Sequence, residues 1–274
     1  MNLFEAIILG IFQGIAEFLP ISSSGHLVIL QNLFSIKEGN LFFTEMLHLG
    51  TLISIFVVYF NDIIKMIIEF LKLLSSLFRG EKIHSLNKYQ KLAILIIVGS
   101  VPTAIIGLTL EDFFESLYTS ILPIGFAFII TGFLLWIAEK RSYENKKVKD
   151  MTYLDSVIIG TAQGIAIIPG ISRSGSTIVA GLLRGLNKPL ATEYSFLLAL
   201  PATFGAGLLG ILKLVKSNSE IVVNFPLVVG VITSAIVGIL SLKVLITLLN
   251  KNKLHLFSYY LWIIGIITII TQLF

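Results

Sequence analysis

Four ionisable side chains stand in stretches otherwise built largely from Ile, Leu, Phe, Ala and Gly: Glu17, His26, Arg173 and Glu193. Desolvating such groups costs on the order of several kcal/mol each, so they usually mark function. Gln13 precedes Glu17 by four residues. On a helix the two share a face, as an oxygen-ligand pair for a hard divalent cation would, or as a mutually hydrogen-bonded pair. After Pro20 the chain reads Ser22, Ser23, Ser24, Gly25, His26 before apolar residues resume at Leu27. Serine caps helix starts, and the free N–H groups of such a start attract anions. Ser23 lies near Glu17 and His26 in the chain, so its hydroxyl could act as a nucleophile whose proton passes to an imidazole or a carboxylate. Arg173 suits bidentate contact with phosphate oxygens.

All of these but His26, which directly follows the first copy, and Glu193 fall in a stretch that occurs twice. Gln13 to Gly25 and Gln163 to Gly175 align at an offset of 150 with no gap, sharing Gln13, Gly14, Ile15, Ala16, Ile21, Ser22, Ser24 and Gly25. The differences set Glu17 against Ile167, Ser23 against Arg173 and His26 against Ser176. The copies share a scaffold and differ in chemistry. A duplicated, Pro-broken polar segment in an apolar chain is how many membrane proteins build a site near the bilayer centre.

The elements that must position the repeats are membrane helices. With 55% hydrophobic and 13% charged residues and a mean hydropathy of +0.93, an ordinary soluble domain is excluded. The fold class is all-α and polytopic, with six spans near 43–60, 92–110, 118–138, 190–212, 224–248 and 256–274. The repeats, at 4–35 and 156–185, read as re-entrant helix-loop-helix segments, because irregular backbone at membrane depth is tolerated only where it lines a cavity or is buried. Kinked spanning helices are the alternative. Residues 61–78 read as an amphipathic helix at the interface. The chain forms a single membrane domain of inverted repeats, approximately 1–138 and 151–274.

Basic loops at 61–91 and 139–155 are expected to be cytoplasmic, while Glu111, Asp112 and Glu115 lie opposite, with Lys213 and Lys216 dissenting mildly. Three spans between the copies then invert the second, so two helix starts converge on a ligand with two anionic groups, and a diphosphate fits. Candidate phosphate contacts are Ser22, Ser24, Gly25, Ser172, Arg173, Ser174, Gly175 and Thr177. The alternatives are simple capping for the serines and an ion pair with Glu17 for Arg173. Glu45, with His48 one turn on, and Glu193 read as inter-helix ties or supports, with a role in the pocket as the alternative. The net charge of +4 fits anionic lipid rather than nucleic acid, since no basic stripe with interleaved aromatics is present. Absence of Cys excludes disulfides and thiolate catalysis. The first apolar stretch contains Glu5, Gln13 and Glu17 and lacks a basic n-region, so it is expected to stay in the mature protein.

At these residues the chain resembles the undecaprenyl-diphosphate phosphatase family of the bacitracin-resistance type. The resemblance rests on an (E/Q)xxxE motif (Gln13 to Glu17), a P-x-S-S-x-G-H turn (Pro20 to His26) and PGxSRSxxT (Pro169 to Thr177), and covers essentially the whole chain. Gln13 stands where some members have Glu, leaving Glu17 as the carboxylate of that motif. The resemblance implies removal of the terminal phosphate of a C55 polyprenyl diphosphate, dependence on Mg2+ or Ca2+, and a site open to the outer face of a bacterial plasma membrane. Glu17 and Gln13 are the candidate metal ligands, Gln13 touching either the metal or the substrate. Ser23 is the expected nucleophile, with Glu17 as base or ligand, Arg173 stabilising charge and His26 orienting or protonating. A rival assignment makes His26 the nucleophile. Expected partners are the lipid substrate and membrane lipids, with a homodimer permitted. A polyprenyl-phosphate flippase is the competing function. A lipid-phosphate-type acid phosphatase is weaker, since the motifs of that superfamily other than Ser-Gly-His at 24–26 have no counterpart.

Overall fold

The computed structural model describes residues 2–34, 36, 41–82, 85–118, 120–141, 145–216, 223–251 and 253–273. In chain order the helices are α1 (Leu3–Ala16), α2 (Ser23–Leu33), α3 (Leu41–Val58), α4 (Phe60–Phe78), α5 (Lys88–Thr109), α6 (Glu111–Leu117) and α7 (Leu122–Arg141). A 3₁₀ turn (Val148–Asp150) leads to α8 (Tyr153–Ile165), α9 (Arg173–Leu183), α10 (Lys188–Lys216), α11 (Phe225–Asn250) and α12 (His255–Leu273). Of the expected segments, the ends at Ser35 and Phe274, Thr119 inside 118–138, and loop residues 83–84 and 142–144 lie outside the described residues.

Five helices are long and apolar enough to cross a membrane: α5, α7, α10, α11 and α12. The helices α3 and α4 meet the same criterion only as a pair, bent by 81° at the break between them; α3 supplies the sixth crossing, and the bend turns the amphipathic α4 aside along the interface. The chain is therefore a multi-pass membrane protein, with its spans where the apolar runs place them. Where a loop was expected between the second and third spans, α6 forms instead. Glu111 and Asp112 in its first turn complement the helix dipole, and Phe114 is buried beneath it.

Both repeats fold as helical hairpins. At 1.5 Å per residue, the 14 residues of α1 span about 21 Å, short of a hydrocarbon core of roughly 30 Å. Beyond α1 a turn carries the chain through Pro20 to Ser22, whose hydroxyl caps α2 by accepting from Gly25 N. Ser22 has φ 69°, alone among the described non-Gly residues in the left-handed region. Such a conformation costs on the order of 1–3 kcal/mol and clusters at functional sites. In the second copy the unusual φ, 92°, falls on Gly170 instead, and Ser172 caps α9 in extended conformation. The two turns touch: Gly170 N donates to Ser24 Oγ at 3.4 Å and Ser174 Oγ to the Leu19 carbonyl at 3.5 Å.

Each hairpin packs chiefly on a span of the other repeat, α1 on α11 and α8 on α5, while α7 pairs with α12. Glycines permit this. A Cβ on Gly10 would lie 2.6 Å from the Gly230 carbonyl oxygen, and one on Gly160 would collide with the Gly99 carbonyl. Gly10 and Gly14 recur at the 150-residue offset as Gly160 and Gly164, a small-xxx-small stripe of the kind that lets helix backbones approach in lipid. The core, including Phe18, Phe128, Tyr194, Phe196 and Leu245, runs continuously through both repeats.

Candidate active site

The turn after α1 presents Glu17 to residues from three other elements. Its Oε2 accepts from Ser23 Oγ at 2.6 Å and from Gln13 Nε2 at 3.0 Å, and its Oε1 is ion-paired with Arg173 Nη2. The α1 register explains the Gln13 contact, since four residues make about one helical turn. The cap at Ser22 opens α2 on Ser23, so the serine hydroxyl faces back onto the carboxylate. Arg173 opens α9 in the other repeat, and its second amino group donates to Thr203 Oγ1 on α10 at 2.7 Å. His48 of α3 brings Nε2 to 3.7 Å from Glu17 Oε2, its Nδ1–H being given to the Thr44 carbonyl at 2.9 Å. Glu17 is 6% exposed and Arg173 19%. The site is thus sheltered but reachable.

The remaining candidates divide by what their polar atoms touch. His26 does not turn to Ser23: its Nδ1–H is given to the Ser22 carbonyl at 2.8 Å, and Nε2 pairs with the Tyr260 hydroxyl at 2.7 Å. Its ring stacks on Tyr260 and packs against Phe128. Between an imidazole and a carboxylate as neighbour of the serine hydroxyl, the geometry selects the carboxylate. Ser24 borders the site, hydrogen-bonded to Ser22 and accepting from Gly170 N, with the Tyr118 hydroxyl beside it. Gly25 lies against the Phe128 ring, with no room for a side chain. Ser172 and Ser174 are buried and bonded to each other at 3.2 Å, with Ser172 also capping Gly175 N. Thr177 is buried against Ser195 and the Arg173 carbonyl. Glu193 pairs with Lys88 at 3.1 Å, as an inter-helix tie.

Gln13 Oε1 is buried and has no hydrogen-bond partner among the described residues. An unanswered carbonyl beside a carboxylate is the start of a donor set for a hard cation, which takes oxygen ligands and keeps waters. No group of three or more His, Asp or Glu gathers around a point among the described residues. Gln13 and Glu17 would therefore hold such an ion together with phosphate or water oxygens. The residues fit Mg2+ or Ca2+ in that limited sense.

A family profile described as "Bacitracin resistance protein BacA" matches residues 6–267, nearly the whole chain and both halves of the site. The chain belongs to this family. An undecaprenyl-diphosphatase of Alkaliphilus metalliredigens (strain QYMF) is 46% identical over 274 residues, covering 100% of each chain. One from Halothermothrix orenii is 44% identical over 270 residues, 98% of each. One from Carboxydothermus hydrogenoformans is 41% identical over 274 residues, 99% of this chain and 98% of the relative. Within this BacA-family frame three residues of the site carry no motif signal. Thr203 sits 30 positions from the arginine it orients, Tyr118 follows an acidic helix that read as loop, and Tyr260 lies 234 positions from His26. His48 was visible as a polar residue one turn beyond Glu45, but its approach to Glu17 was not.

Proposed function

We propose that this protein hydrolyses the terminal phosphate of undecaprenyl diphosphate, returning the monophosphate lipid carrier for cell-wall precursor export and so conferring bacitracin resistance. The observation that carries the mechanism is the 2.6 Å hydrogen bond from Ser23 Oγ to the Glu17 carboxylate, within a pocket completed by Arg173. Ser23 Oγ attacks the terminal phosphorus while its proton passes to Glu17. The bond from that phosphorus to the bridging oxygen breaks, and undecaprenyl phosphate leaves with the proton handed on by Glu17. Water, deprotonated by the restored Glu17 carboxylate, then attacks the phosphoserine; Glu17 returns that proton to Ser23 Oγ as the phosphorus–Oγ bond breaks, regenerating Ser23 and releasing inorganic phosphate.

Charge spreads over the three peripheral oxygens of the transferring group, so preorganised cations and N–H donors dominate the rate. Arg173 leaves the Glu17 carboxylate for these oxygens, steered by Thr203, and the N–H groups that open α2 and α9 face the same centre. A divalent cation held by Gln13 and Glu17, when bound, supplies further charge neutralisation. The isoprenoid tail stays in lipid beside the pocket. An outward-facing site is supported by Tyr118, which closes the acidic α6 and lies beside Ser24. Lys213, a basic residue at that end, is neutralised there by Glu111 and Glu115 at 2.8 and 2.9 Å.

The decisive assay is phosphate release from C55 polyprenyl diphosphate by detergent-purified protein, with and without chelator, beside folded Glu17→Ala and Arg173→Ala variants. Chelator-sensitive release that both substitutions abolish is the expected result. A folded wild type that releases nothing with any divalent metal overturns the reading and favours transport of the lipid phosphate.

A further inference from the structure

At the end of the bundle that carries the basic loops, a cleft of about 390 Å³ opens between the starts of α5 and α10 and the 3₁₀ turn. Among the described residues, Lys88, Lys91, Lys147 and Lys149 line it against a single acid, Glu193. Lys88 is paired with Glu193 at 3.1 Å, and Lys91 donates to the Lys149 carbonyl at 2.6 Å, which anchors the turn. The ammonium groups of Lys147 and Lys149 have no ion pair among the described residues, although they stand on a turn fixed by the Lys147 N to Asp150 hydrogen bond at 3.1 Å. Leu86, Val148, Pro189 and Leu190 give the cleft an apolar wall. Concavity, excess positive charge and an apolar wall together match a phosphate carried on a lipid.

Depth favours the lipid over a free anion. Asn87, on the cleft rim, donates its amide to Glu69 of α4 at 2.6 Å. The helix α4 leaves Ile64, Ile67, Ile68 and Leu71 exposed on one side and Lys65 and Lys72 on another, as a helix lying at the headgroup level does. The rim of the cleft is therefore tied to the element that marks the interface. We propose that this cleft is a binding site for the phosphate headgroup of an acidic phospholipid, distinct from the Glu17 pocket. Lys147 and Lys149 contact the phosphate, the apolar wall takes the first part of the acyl region, and bound lipid staples the turn before α8 to the starts of α5 and α10. Basic pockets between membrane helices bind acidic headgroups in this way.

The test is thermal unfolding of the full-length protein in neutral detergent with dihexanoyl phosphatidylglycerol, dihexanoyl phosphatidylcholine or inorganic phosphate. The Glu17 pocket also accepts phosphate, so the readout is the part of the shift lost in Lys147→Gln/Lys149→Gln. Wild type should be stabilised by phosphatidylglycerol and not by phosphatidylcholine, with apparent affinity about tenfold or more weaker in the double glutamine variant. Lys147→Arg/Lys149→Arg should keep the effect, as should Lys251→Gln/Lys253→Gln, which removes the same charge elsewhere. Equal shifts in wild type and the Lys147/Lys149 glutamine variant, or no shift in wild type, overturn the site. An equal response to inorganic phosphate that is lost with the same lysines overturns the lipid assignment.

Discussion

At the scale of single residues, the proposed mechanism divides one carboxylate between a nucleophile and a cation. Glu17 holds Ser23 on one oxygen and Arg173 on the other, so the groups that must act together are coupled before substrate arrives. Residues acting as a unit are strongly non-additive. Ser23→Ala should lower phosphate release by about a thousandfold or more, and adding Glu17→Gln should cost little further, measured as kcat/KM of the single and double variants. Both ring nitrogens of His26 are committed to Ser22 and Tyr260. A phospho-adduct trapped by rapid quench should therefore map to Ser23, and one on His26 would displace the serine assignment. Thr203 offers a finer test, since it orients Arg173 and has no other role in the chemistry. A hydrogen bond to a charged group contributes roughly 1.5–3 kcal/mol. Thr203→Val should thus lower kcat/KM by about tenfold to a hundredfold, with Thr203→Ser restoring most of it.

At the scale of elements, packing rather than chemistry decides what can change. Gly160→Ala drives a methyl into the Gly99 carbonyl, whereas a Cβ on Gly205 meets nothing within 4 Å. Overpacking costs about 1–3 kcal/mol, so the first substitution should lower Tm in detergent by several degrees while Gly205→Ala leaves it unchanged or slightly raised. The mouth of α8 carries a pH dependence. Burial pushes Asp155 up, but the Thr152 N–H, Lys146 and Arg184 outweigh it and hold the carboxyl down at about 2, against an ordinary 3.8. A depressed folded value means the stabilisation is complete above about pH 4 and is lost as pH falls toward 2. Asp155→Asn should remove that part of the acid transition in a Tm series between pH 5 and pH 2. The hairpins, spans and interfacial helix were legible because Pro20, Pro169, the serines and the run lengths are local signals. The same locality hid α6, a seven-residue helix whose stability comes from Phe114 and the Lys213 clamp. It also hid the contacts of Thr203, Tyr118 and Tyr260, which exist only once distant helices pack. The exchange of hairpins between repeats left a trace at Gly10, Gly14, Gly160 and Gly164, readable only when the repeat is extended toward the N-terminus.

At the scale of the whole molecule, the interlocking of α1 with α11 and α8 with α5 ties the halves together through backbone contacts too close for side chains. A machine that alternates access by rocking one repeat against the other would have to break both glycine seams. A hydrolase needs only a fixed pocket open to one side. The proposed mechanism puts that opening at the acidic end of the bundle, where Lys213 clamps α6 through Glu111 and Glu115 and Tyr118 lies beside Ser24. Sidedness then becomes the sharpest global prediction. The chain has no cysteine, so Phe113→Cys and Asn145→Cys each give one label site, at the acidic and basic ends respectively. In sealed vesicles scored by accessibility to an impermeant maleimide, phosphate should appear in the compartment that labels position 113. Release into the compartment that labels position 145 would place the catalytic mouth at the basic end and detach α6 from substrate entry. Equal release into both would mean that the pocket opens to either side, which the glycine seams argue against, and would return transport to contention.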